Sequence, residues 1–463
     1  MDYDLLIIGS GPGGYVAAIR ASQLKMKVAV VERAELGGVC LNWGCIPTKA
    51  LLKSAQVYQY FMHASQYGIS VQGEVKPDFK AIIARSRAVA EGMSKGIQFL
   101  FKKNNIVHIK GTGRLKGAGK VEVTDDSGNR KVYTAANIIL ATGARPKALP
   151  GMEIDGKKII GYREAMTLPE QPASMVIVGS GAIGCEFACF YQALGTEVTL
   201  VEIMSQIMPL EDEEVAKQLE RSFKKMKMKV LTSSTVSSVD TTGNKCHVTV
   251  KTPSGNQVIE ADVVLSAAGI TPNTENLGLE EAGVRTHDGK VMVDEFYRTS
   301  VNGIYAIGDI VKGPALAHVA SAEGIICVEK MAGLDVEPLN YDNIPSCTYT
   351  MPEVASCGLT EKAAARAGYE IKVGKFPFTA SGKASAAGDR EGFVKLIFNA
   401  KDGELLGAHM IGQNVTEMIG EIIVARKLET TAYEIIKSVH PHPTLSEAIM
   451  EAAAAAYGEA INL

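Results

Sequence analysis

The chain has 463 residues, with 48 basic and 51 acidic side chains, and its formal net charge is −3 at neutral pH. This length predicts several domains, and the balanced charge gives no field that would attract nucleic acid or an anionic membrane surface. Because no apolar run approaches the roughly 20 residues that span a bilayer and no signal peptide is evident, we expect a cytoplasmic protein outside the membrane.

Two segments of the chain share one plan and form an internal repeat, offset by 170 residues. The first copy lies in 4–33 and the second in 174–203. Each has an apolar strand, a G-x-G-x-x-G turn that opens a helix, a second apolar strand and a glutamate 23 residues after the first glycine. This context is typical of a dinucleotide-binding βαβ unit, so the sequence predicts two Rossmann-like domains.

The glycines and the glutamate of each copy are candidate nucleotide contacts. The glycines let the backbone approach a pyrophosphate at a helix N-terminus, and the acid accepts a hydrogen bond from a ribose hydroxyl. The candidates are Gly9, Gly11, Gly14 and Glu32 in the first copy and Gly179, Gly181, Gly184 and Glu202 in the second. Because the carboxylate of Glu202 would repel the 2′-phosphate of NADP, we expect NAD in the second site. The glycines of the first site leave its nucleotide open.

Two cysteines, Cys40 and Cys45, follow the first copy directly. A bond between them would strain a regular helix, because five residues advance the chain by more than one turn, and strained disulfides are easily reduced. The spacing therefore suits a redox-active disulfide beside a flavin, with two buried free thiols as the alternative. For the other six cysteines we expect packing roles, because no further ligands complete a zinc set.

Three later segments repeat the pattern of a buried strand that runs into small residues. Two of them end near Gly143 and Gly269. The third segment ends in a glycine turn that contains Asp309, and this position suits a hydrogen bond to the ribityl chain of a flavin. A plain Asx turn is the alternative for Asp309.

From about residue 343 the pattern changes to alternating strands and alanine-rich helices, which predicts a separate α+β domain. Near its end, His440 and His442 precede Glu447. A carboxylate five residues away can orient a histidine and make it a proton acceptor for a thiol. Glu447 could instead form a capping box with Thr444, and the local sequence alone favours that cap. Zinc is not expected, because the vicinity supplies no further ligands.

Taken together, these motifs resemble the flavin-dependent disulfide oxidoreductases along nearly the whole chain, and most closely the dihydrolipoamide dehydrogenases. The resemblance implies an α/β fold with two Rossmann-like dinucleotide-binding domains and a C-terminal α+β dimerisation domain. It implies an FAD-binding domain at 1–147, an NAD-binding domain at 148–272, a central domain at 273–342 and an interface domain at 343–463.

The resemblance also implies a role for each candidate residue. FAD would be held by Gly9, Gly11, Gly14, Glu32, Lys49, Gly143, Asp309 and Ala317, and NAD by Gly179, Gly181, Gly184 and Glu202. Cys40 would be the thiol that meets lipoamide, and Cys45 the thiol that contacts the flavin. His442, oriented by Glu447, would be the base, acting on the disulfide of the other subunit of a homodimer.

Two further cofactor positions follow from the same resemblance. Glu186 would pair with Lys49 beside the flavin. Gly269 is a further nucleotide contact, and it precedes Ile270 where many relatives carry arginine, which leaves the nearby contacts open. The implied reaction is oxidation of dihydrolipoamide on a lipoyl carrier protein with reduction of NAD, in a 2-oxo acid dehydrogenase or glycine cleavage complex.

Other functions remain as alternatives. An NADPH-dependent reductase of glutathione-like disulfides is disfavoured by Glu202, mercuric reductase by the lack of a terminal cysteine pair, and a transhydrogenase by the presence of Cys40 and Cys45. A non-catalytic scaffold would be expected to have lost at least one of these sites.

Overall fold

The computed structural model describes residues 1–463, and the chain packs into two compact units. The first unit consists of 1–50, 80–147 and 269–339, and the second of 51–79, 148–268 and 340–463. No helix combines the length and the apolar character that a membrane span requires. Short 3₁₀ turns lie at Ala64–Tyr67, Gly308–Ile310, Tyr341–Asn343 and Phe378–Ala380.

The N-terminal segment contains the first copy of the repeat. Its strands are β1 (Tyr3–Ile8), β2 (Val28–Glu32), β3 (Val107–Lys110), β4 (Thr112–Leu115), β5 (Lys120–Thr124), β6 (Arg130–Leu140) and β7 (Ala144–Pro146). Its helices are α1 (Pro12–Gln23), α2 (Gly38–Trp43), α3 (Cys45–Met62) and α4 (Phe79–Lys103). Strands β3, β2, β1 and the second half of β6 form a parallel sheet, and the first half of β6 pairs antiparallel with β5.

The strands of this sheet are apolar on both faces. Leu5, Leu6 and Ile7 of β1 have no exposed surface, because a parallel sheet in such a fold is covered on both sides. One cover is α1, whose buried Ala17 and Ala18 allow close packing on the strands. The sequence pattern of continuous apolar runs thus places β1 at the centre of the core.

The second copy of the repeat forms a second parallel sheet. Its strands are β8 (Ile159–Ile160), β9 (Ser174–Val178), β10 (Glu197–Val201), β11 (Lys229–Leu231), β12 (Thr235–Asp240), β13 (Cys246–Thr252), β14 (Gly255–Ala261) and β15 (Val263–Ser266). Its helices are α5 (Tyr162–Ala165), α6 (Ala182–Leu194) and α7 (Glu213–Lys225). The parallel order is β11-β10-β9-β15-β8, and β12, β13 and β14 form an antiparallel sheet.

The next segment returns to the first unit. It contains β16 (Ile270–Pro272), β17 (Thr286–His287), β18 (Lys290–Val291), β19 (Ile304–Ala306), α8 (Leu279–Ala282) and α9 (Ala317–Met331). Strand β19 extends the first parallel sheet by pairing with β6, and α9 packs on α1. The two helices approach closely at glycines, since a Cβ atom on Gly324 would lie 2.8 Å from the carbonyl oxygen of Gly13.

The C-terminal segment forms an antiparallel sheet with helices, as the sequence predicts. Its strands are β20 (Ser346–Thr348), β21 (Glu353–Gly358), β22 (Ile371–Pro377), β23 (Phe393–Asn399) and β24 (Leu405–Gly412), in the order β20-β21-β24-β23-β22. Its helices are α10 (Glu361–Arg366), α11 (Gly382–Ala387), α12 (Val415–Lys427), α13 (Ala432–Lys437) and α14 (Glu447–Ala455). Helix α14, which carries Glu447, packs on β22 and β23. The expected α/β class, with two Rossmann-like sheets and a C-terminal α+β domain, is confirmed.

Candidate active site

The first glycine turn connects β1 to α1 and leaves one open position. Gly9 has a φ of +105°, and a Cβ atom there would lie 2.2 Å from the carbonyl oxygen of Ala141. A Cβ atom on Gly14 would lie 2.0 Å from the carbonyl oxygen of Gly9, so both positions require glycine. At Gly11, directly before the helix, a Cβ atom would meet nothing within 4 Å. The open space at the helix N-terminus fits the pyrophosphate of a dinucleotide.

The second glycine turn has the same structure between β9 and α6. Gly179 has a φ of +99°, and a Cβ atom on Gly184 would lie 1.9 Å from the carbonyl oxygen of Gly179. Space is again open at Gly181, which precedes the helix. The internal repeat of the sequence therefore also repeats this turn structure, at residues 9–14 and 179–184. We call each of these two turns a glycine cradle.

The acid at the end of each second strand holds the glycine turn of its own copy. Glu32 accepts hydrogen bonds from the N–H of Ser10 at 2.9 Å and from its hydroxyl at 2.8 Å. Glu202 accepts the same pair from Ser180, at 2.9 and 2.6 Å. Neither serine is among the residues predicted from the sequence, although both copies read Gly-Ser-Gly. The repeated serine was the signal that could have identified them.

The second oxygen of each carboxylate is also anchored. Glu32 accepts from the N–H of Ala34 at 2.9 Å, and Glu202 from the N–H of Met204 at 2.8 Å. Both carboxylates are thus fixed at the carboxyl ends of their strands, which is where a ribose lies in this type of fold.

Cys40 and Cys45 lie on two different helices. Cys40 belongs to α2, Gly44 breaks the helix with φ −151° and ψ −115°, and Cys45 begins α3. The expectation that their bond would strain a regular helix is therefore wrong, because no regular helix connects them. The two cysteines are not joined by a disulfide in this structure, and their side chains are hydrogen-bonded to each other.

The surroundings of Cys40 favour its protonated form. Its pKa is raised first by the hydrogen bond with Cys45, then by burial and by the charge of Cys45, while Lys49 opposes the rise. Asp309 also raises this pKa by its negative charge. Residues separated by 269 positions, Cys40 and Asp309, are therefore within electrostatic reach of each other. A thiol in this state needs a proton acceptor before it can act as a nucleophile.

Asp309 lies in the 3₁₀ turn that follows β19. Burial raises its pKa, and Lys290 opposes this effect. The N–H of Gly308 donates to Glu323 of α9 at 2.6 Å, and Glu323 is only 1% exposed. Glu323 thus fixes the turn that presents Asp309, a role with no signal in the sequence. The first residue of the same helix α9 is Ala317.

Gly143 and Gly269 lie at the ends of the paired strands β7 and β16. The carbonyl oxygen of Gly143 accepts from the N–H of Asn273 at 2.8 Å, and that of Gly269 from the N–H of Lys147 at 3.1 Å. A Cβ atom at either glycine would meet nothing within 4 Å. Ile270 pairs with Pro146 in this ribbon and is 36% exposed.

His442 and Glu447 form a hydrogen-bonded pair at the start of α14. The Nδ1 atom of His442 lies 2.9 Å from one carboxylate oxygen of Glu447, and the other oxygen accepts the N–H of Thr444 at 2.8 Å. The hydroxyl of Thr444 donates to the carbonyl of Pro441 instead, so the expected capping box is only half formed. Because the side chain of His442 is 77% exposed, the imidazole is accessible from outside the subunit.

The pKa of Glu447 is lowered overall. Its partial burial acts to raise the pKa, but the N–H of Thr444 and the imidazole of His442 outweigh that effect. His440 is different from His442: its side chain is 7% exposed, and its Nε2 atom lies 2.8 Å from Glu421 of α12. No cluster of histidine, cysteine and acidic side chains is arranged to hold a metal ion.

Glu186 lies on α6 and is 4% exposed. It accepts a hydrogen bond from the N–H of Tyr349 at 3.0 Å, within the second unit. Lys49 belongs to the first unit, and its pairing with Glu186 stays a prediction.

The chain is similar to known proteins along its full length. Residues 3–324 match the family described as pyridine nucleotide-disulphide oxidoreductase, and residues 344–453 match the dimerisation domain of that family. A dihydrolipoyl dehydrogenase of Rhizobium etli is 49% identical, and one of Zymomonas mobilis is 48% identical, each with 99% of both chains covered.

Solved structures show the same similarity. The crystal structure of LpdA from Mycobacterium tuberculosis superposes with a TM-score of 0.90 at 29% identity, covering 97% of this chain and 98% of that chain. The flavoprotein disulfide reductase RclA from Escherichia coli has a TM-score of 0.88 at 24% identity, with 98% and 99% covered, and shares the fold. The chain therefore belongs to the pyridine nucleotide-disulphide oxidoreductases and, within them, to the dihydrolipoyl dehydrogenases, a family of oxidoreductases that use FAD and NAD.

Proposed function

We propose that this chain oxidises the dithiol of dihydrolipoyl groups on carrier proteins and reduces NAD, as a subunit of 2-oxo acid dehydrogenase or glycine cleavage complexes. The observation that carries the proposal is the thiol pair Cys40 and Cys45, joined by a hydrogen bond across the helix break at Gly44. Two thiols within hydrogen-bonding contact can form and release a disulfide with little movement of the backbone.

In the proposed first half-reaction, one thiolate of the dihydrolipoyl group attacks Cys40 in the Cys40–Cys45 disulfide. The disulfide bond breaks, a mixed disulfide with Cys40 forms, and Cys45 leaves as a thiolate. The second lipoyl thiolate then displaces Cys40, so that the lipoyl disulfide forms and the protein holds two thiols. The two electrons and two protons lost by the substrate are balanced by the reduction of the protein disulfide.

His442 is the proposed proton acceptor for the substrate thiols. Glu447 accepts the Nδ1 proton, which leaves Nε2 available as the base. The exposure of His442 suits action on the cysteine pair of a second copy, and we propose that the active form is a homodimer joined by the C-terminal domain.

The residues that would hold the cofactors divide between the two glycine cradles. FAD would be held by Gly9, Gly11, Gly14, Glu32, Lys49, Gly143, Asp309 and Ala317, and NAD by Gly179, Gly181, Gly184, Glu202 and Gly269. Glu186 would pair with Lys49. FAD, when bound, carries the electron pair from the protein dithiol to NAD. The open positions at Gly11 and Gly181 support this assignment, because a pyrophosphate needs close approach of the backbone.

We further propose that the functional domains are 1–147 for FAD, 148–272 for NAD, 273–342 as a central domain and 343–463 for dimerisation. A cytoplasmic location is supported by bacterial relatives and by cysteines that are spread along the chain without a disulfide framework.

Steady-state reduction of NAD and of NADP by the purified protein with dihydrolipoamide tests the proposal. We expect turnover that is selective for NAD, a visible flavin spectrum, and loss of turnover in Cys45→Ser. A yellow protein that reduces glutathione-like disulfides with NADPH and ignores dihydrolipoamide would contradict it. Full activity of the Cys45→Ser protein would contradict the proposed role of the cysteine pair.

A further inference from the structure

A cleft with a strongly basic lining lies between α7 and the strands β22 and β23. Its volume is about 560 Å³, within the range of about 300–1,000 Å³ that is typical of small-molecule sites. Five cationic side chains contribute to its lining: Lys217, Arg221, Lys225, Lys375 and Arg390. None of these residues takes part in the proposed reaction.

The two carboxylates of the lining are already paired. Glu214 accepts from Lys375 at 2.8 Å and from the buried Lys395 at 2.9 Å. Glu391 lies 2.9 Å from the ammonium group of Lys225 and also accepts from Gln218 and Ser222 of α7. Lys217 is also paired, with Glu213 of the same helix at 2.6 Å, so that only Arg221 and Arg390 of the five cations lack a carboxylate partner.

The excess positive charge is concentrated on two guanidinium groups. Arg221 has no hydrogen-bond or ion-pair partner, and the side chain of Arg390 donates only to the carbonyl oxygen of Thr379, at 3.1 Å. The five donors of a guanidinium form a planar fork that matches the oxygens of a phosphate. Both groups are thus available to bind an anion.

The walls of the cleft are held in place by a buried ionic network. Lys395 of β23 is 1% exposed and donates to both carboxylate oxygens of Asp212, at 2.9 and 3.1 Å. Asp212 also caps α7 by accepting the N–H of Glu214 at 3.0 Å. Helix α7, which carries Arg221, is therefore fixed against the sheet.

We propose that this cleft binds a small anion that carries two or more phosphate groups. Two guanidinium groups without a carboxylate partner favour an anion with two or more charges over a single carboxylate, and their planar forks favour phosphate. Phe393 at the base of the cleft is 5% exposed, and its ring centre lies 4.2 Å from the ammonium group of Lys375.

Calorimetric titration of the FAD-loaded protein with inorganic tripolyphosphate tests the site. Saturating NAD is present, so that both glycine cradles are occupied and only a separate site is measured. We expect one binding site per chain, and a dissociation constant about tenfold larger or more in Arg221→Gln/Arg390→Gln, because charge-assisted hydrogen bonds are lost. Absence of tripolyphosphate binding would overturn the proposal.

A matched control separates a built site from a general electrostatic effect. The protein Arg130→Gln/Arg285→Gln loses the same charge from exposed arginines that do not line the cleft, and it should bind as the unchanged protein does. Equal weakening in both double variants would overturn the proposal. The melting temperature and dihydrolipoamide oxidation, which we expect to be unchanged in both, verify that the proteins are folded.

Discussion

Cys40 and Cys45 have different surroundings although they are close in sequence. Cys40 lies on α2 in a half-buried position, whereas Cys45 is exposed at the start of α3. The hydrogen bond between them raises the pKa of Cys40, and so does the negative charge of Cys45. The reduced pair therefore keeps a proton on Cys40, and this proton must leave before the Cys40–Cys45 disulfide can form again.

We expect Cys45→Ala to lower the pKa of Cys40 in the reduced protein. The substitution removes the hydrogen bond and the neighbouring charge, while the lowering effect of Lys49 remains. The measurement is the pH dependence of Cys40 alkylation, followed by peptide mass spectrometry, and its midpoint should move to lower pH. Cys246→Ala is the control, since this buried thiol lies in the other unit. An unchanged midpoint in Cys45→Ala would show that burial alone sets the pKa.

Glu447→Gln should lower kcat for dihydrolipoamide oxidation about a hundredfold, in the range of general acid–base effects. The amide keeps the size of the side chain but replaces the charged acceptor that holds the Nδ1 atom of His442. Glu421→Gln is the matched control, because it changes the same kind of pair at His440 instead. Equal losses in the two variants would mean that the histidine–glutamate pair at His442 has no special role.

The lowered pKa of Glu447 also predicts that the stability of the protein depends on pH. Its pKa in the folded protein is lowered, so the carboxylate stabilises the fold above its ordinary pKa of about 4.3, and this contribution is lost as pH falls through the lower folded value. Urea unfolding should therefore show the largest difference in unfolding free energy between the unchanged protein and Glu447→Gln near neutral pH. A difference that stays constant down to about pH 3 would contradict the lowered pKa.

At the level of the elements, the two strand–turn–helix units pack their glycine turns in the same way. The first and third glycines of each turn are required because a side chain would collide with backbone oxygens. The middle glycine has free space around it and is needed only when a ligand approaches. Stability and ligand binding thus depend on different glycines of the same motif.

Gly181→Ala and Gly184→Ala should therefore have opposite profiles. The first should weaken NAD binding about tenfold with little change in melting temperature, because its methyl group occupies the ligand space. The second should lower the unfolding free energy by about 1–3 kcal/mol, because its methyl group meets the carbonyl oxygen of Gly179. Thermal melts of both proteins measure the change in stability, and NAD titrations measure the change in NAD affinity. A large loss of stability in Gly181→Ala would show that the open space is structural.

At the level of the whole molecule, the proposed chemistry is divided between the two compact units. The cysteine pair lies in the first unit, and His442 lies in the second. Because His442 is exposed, a second copy of the chain can bring its imidazole to the cysteines. A homodimer would then contain two sites, each built from both copies.

Subunit mixing tests this arrangement. Cys45→Ser and His442→Gln proteins should each be inactive alone. After exchange, half of the dimers are mixed and each mixed dimer holds one complete site, so about a quarter of the normal activity should return. Separate incubation of each variant under the exchange conditions is the control. If the mixture stays inactive although mass spectrometry detects mixed dimers, the base must act within its own subunit.

Sequence alone determined the parts of this protein that depend on local pattern. The two glycine turns, their terminal acids and the apolar strands between them follow from spacing, since only glycine fits where Gly9 and Gly14 meet backbone atoms. The C-terminal α+β domain followed from its alternating strands in the same way. These features depend only on residues that lie within about 30 positions of each other in the sequence.

Tertiary structure decided the features that join distant residues. It placed Asp309 near Cys40, fixed the turn of Asp309 through Glu323, and showed that Gly44 divides the cysteine pair between two helices. It also gave Glu447 two partners, where the local sequence favoured a capping box alone. Long-range contacts and the competition between hydrogen-bond partners depend on how the chain packs, and the spacing of residues does not encode them directly.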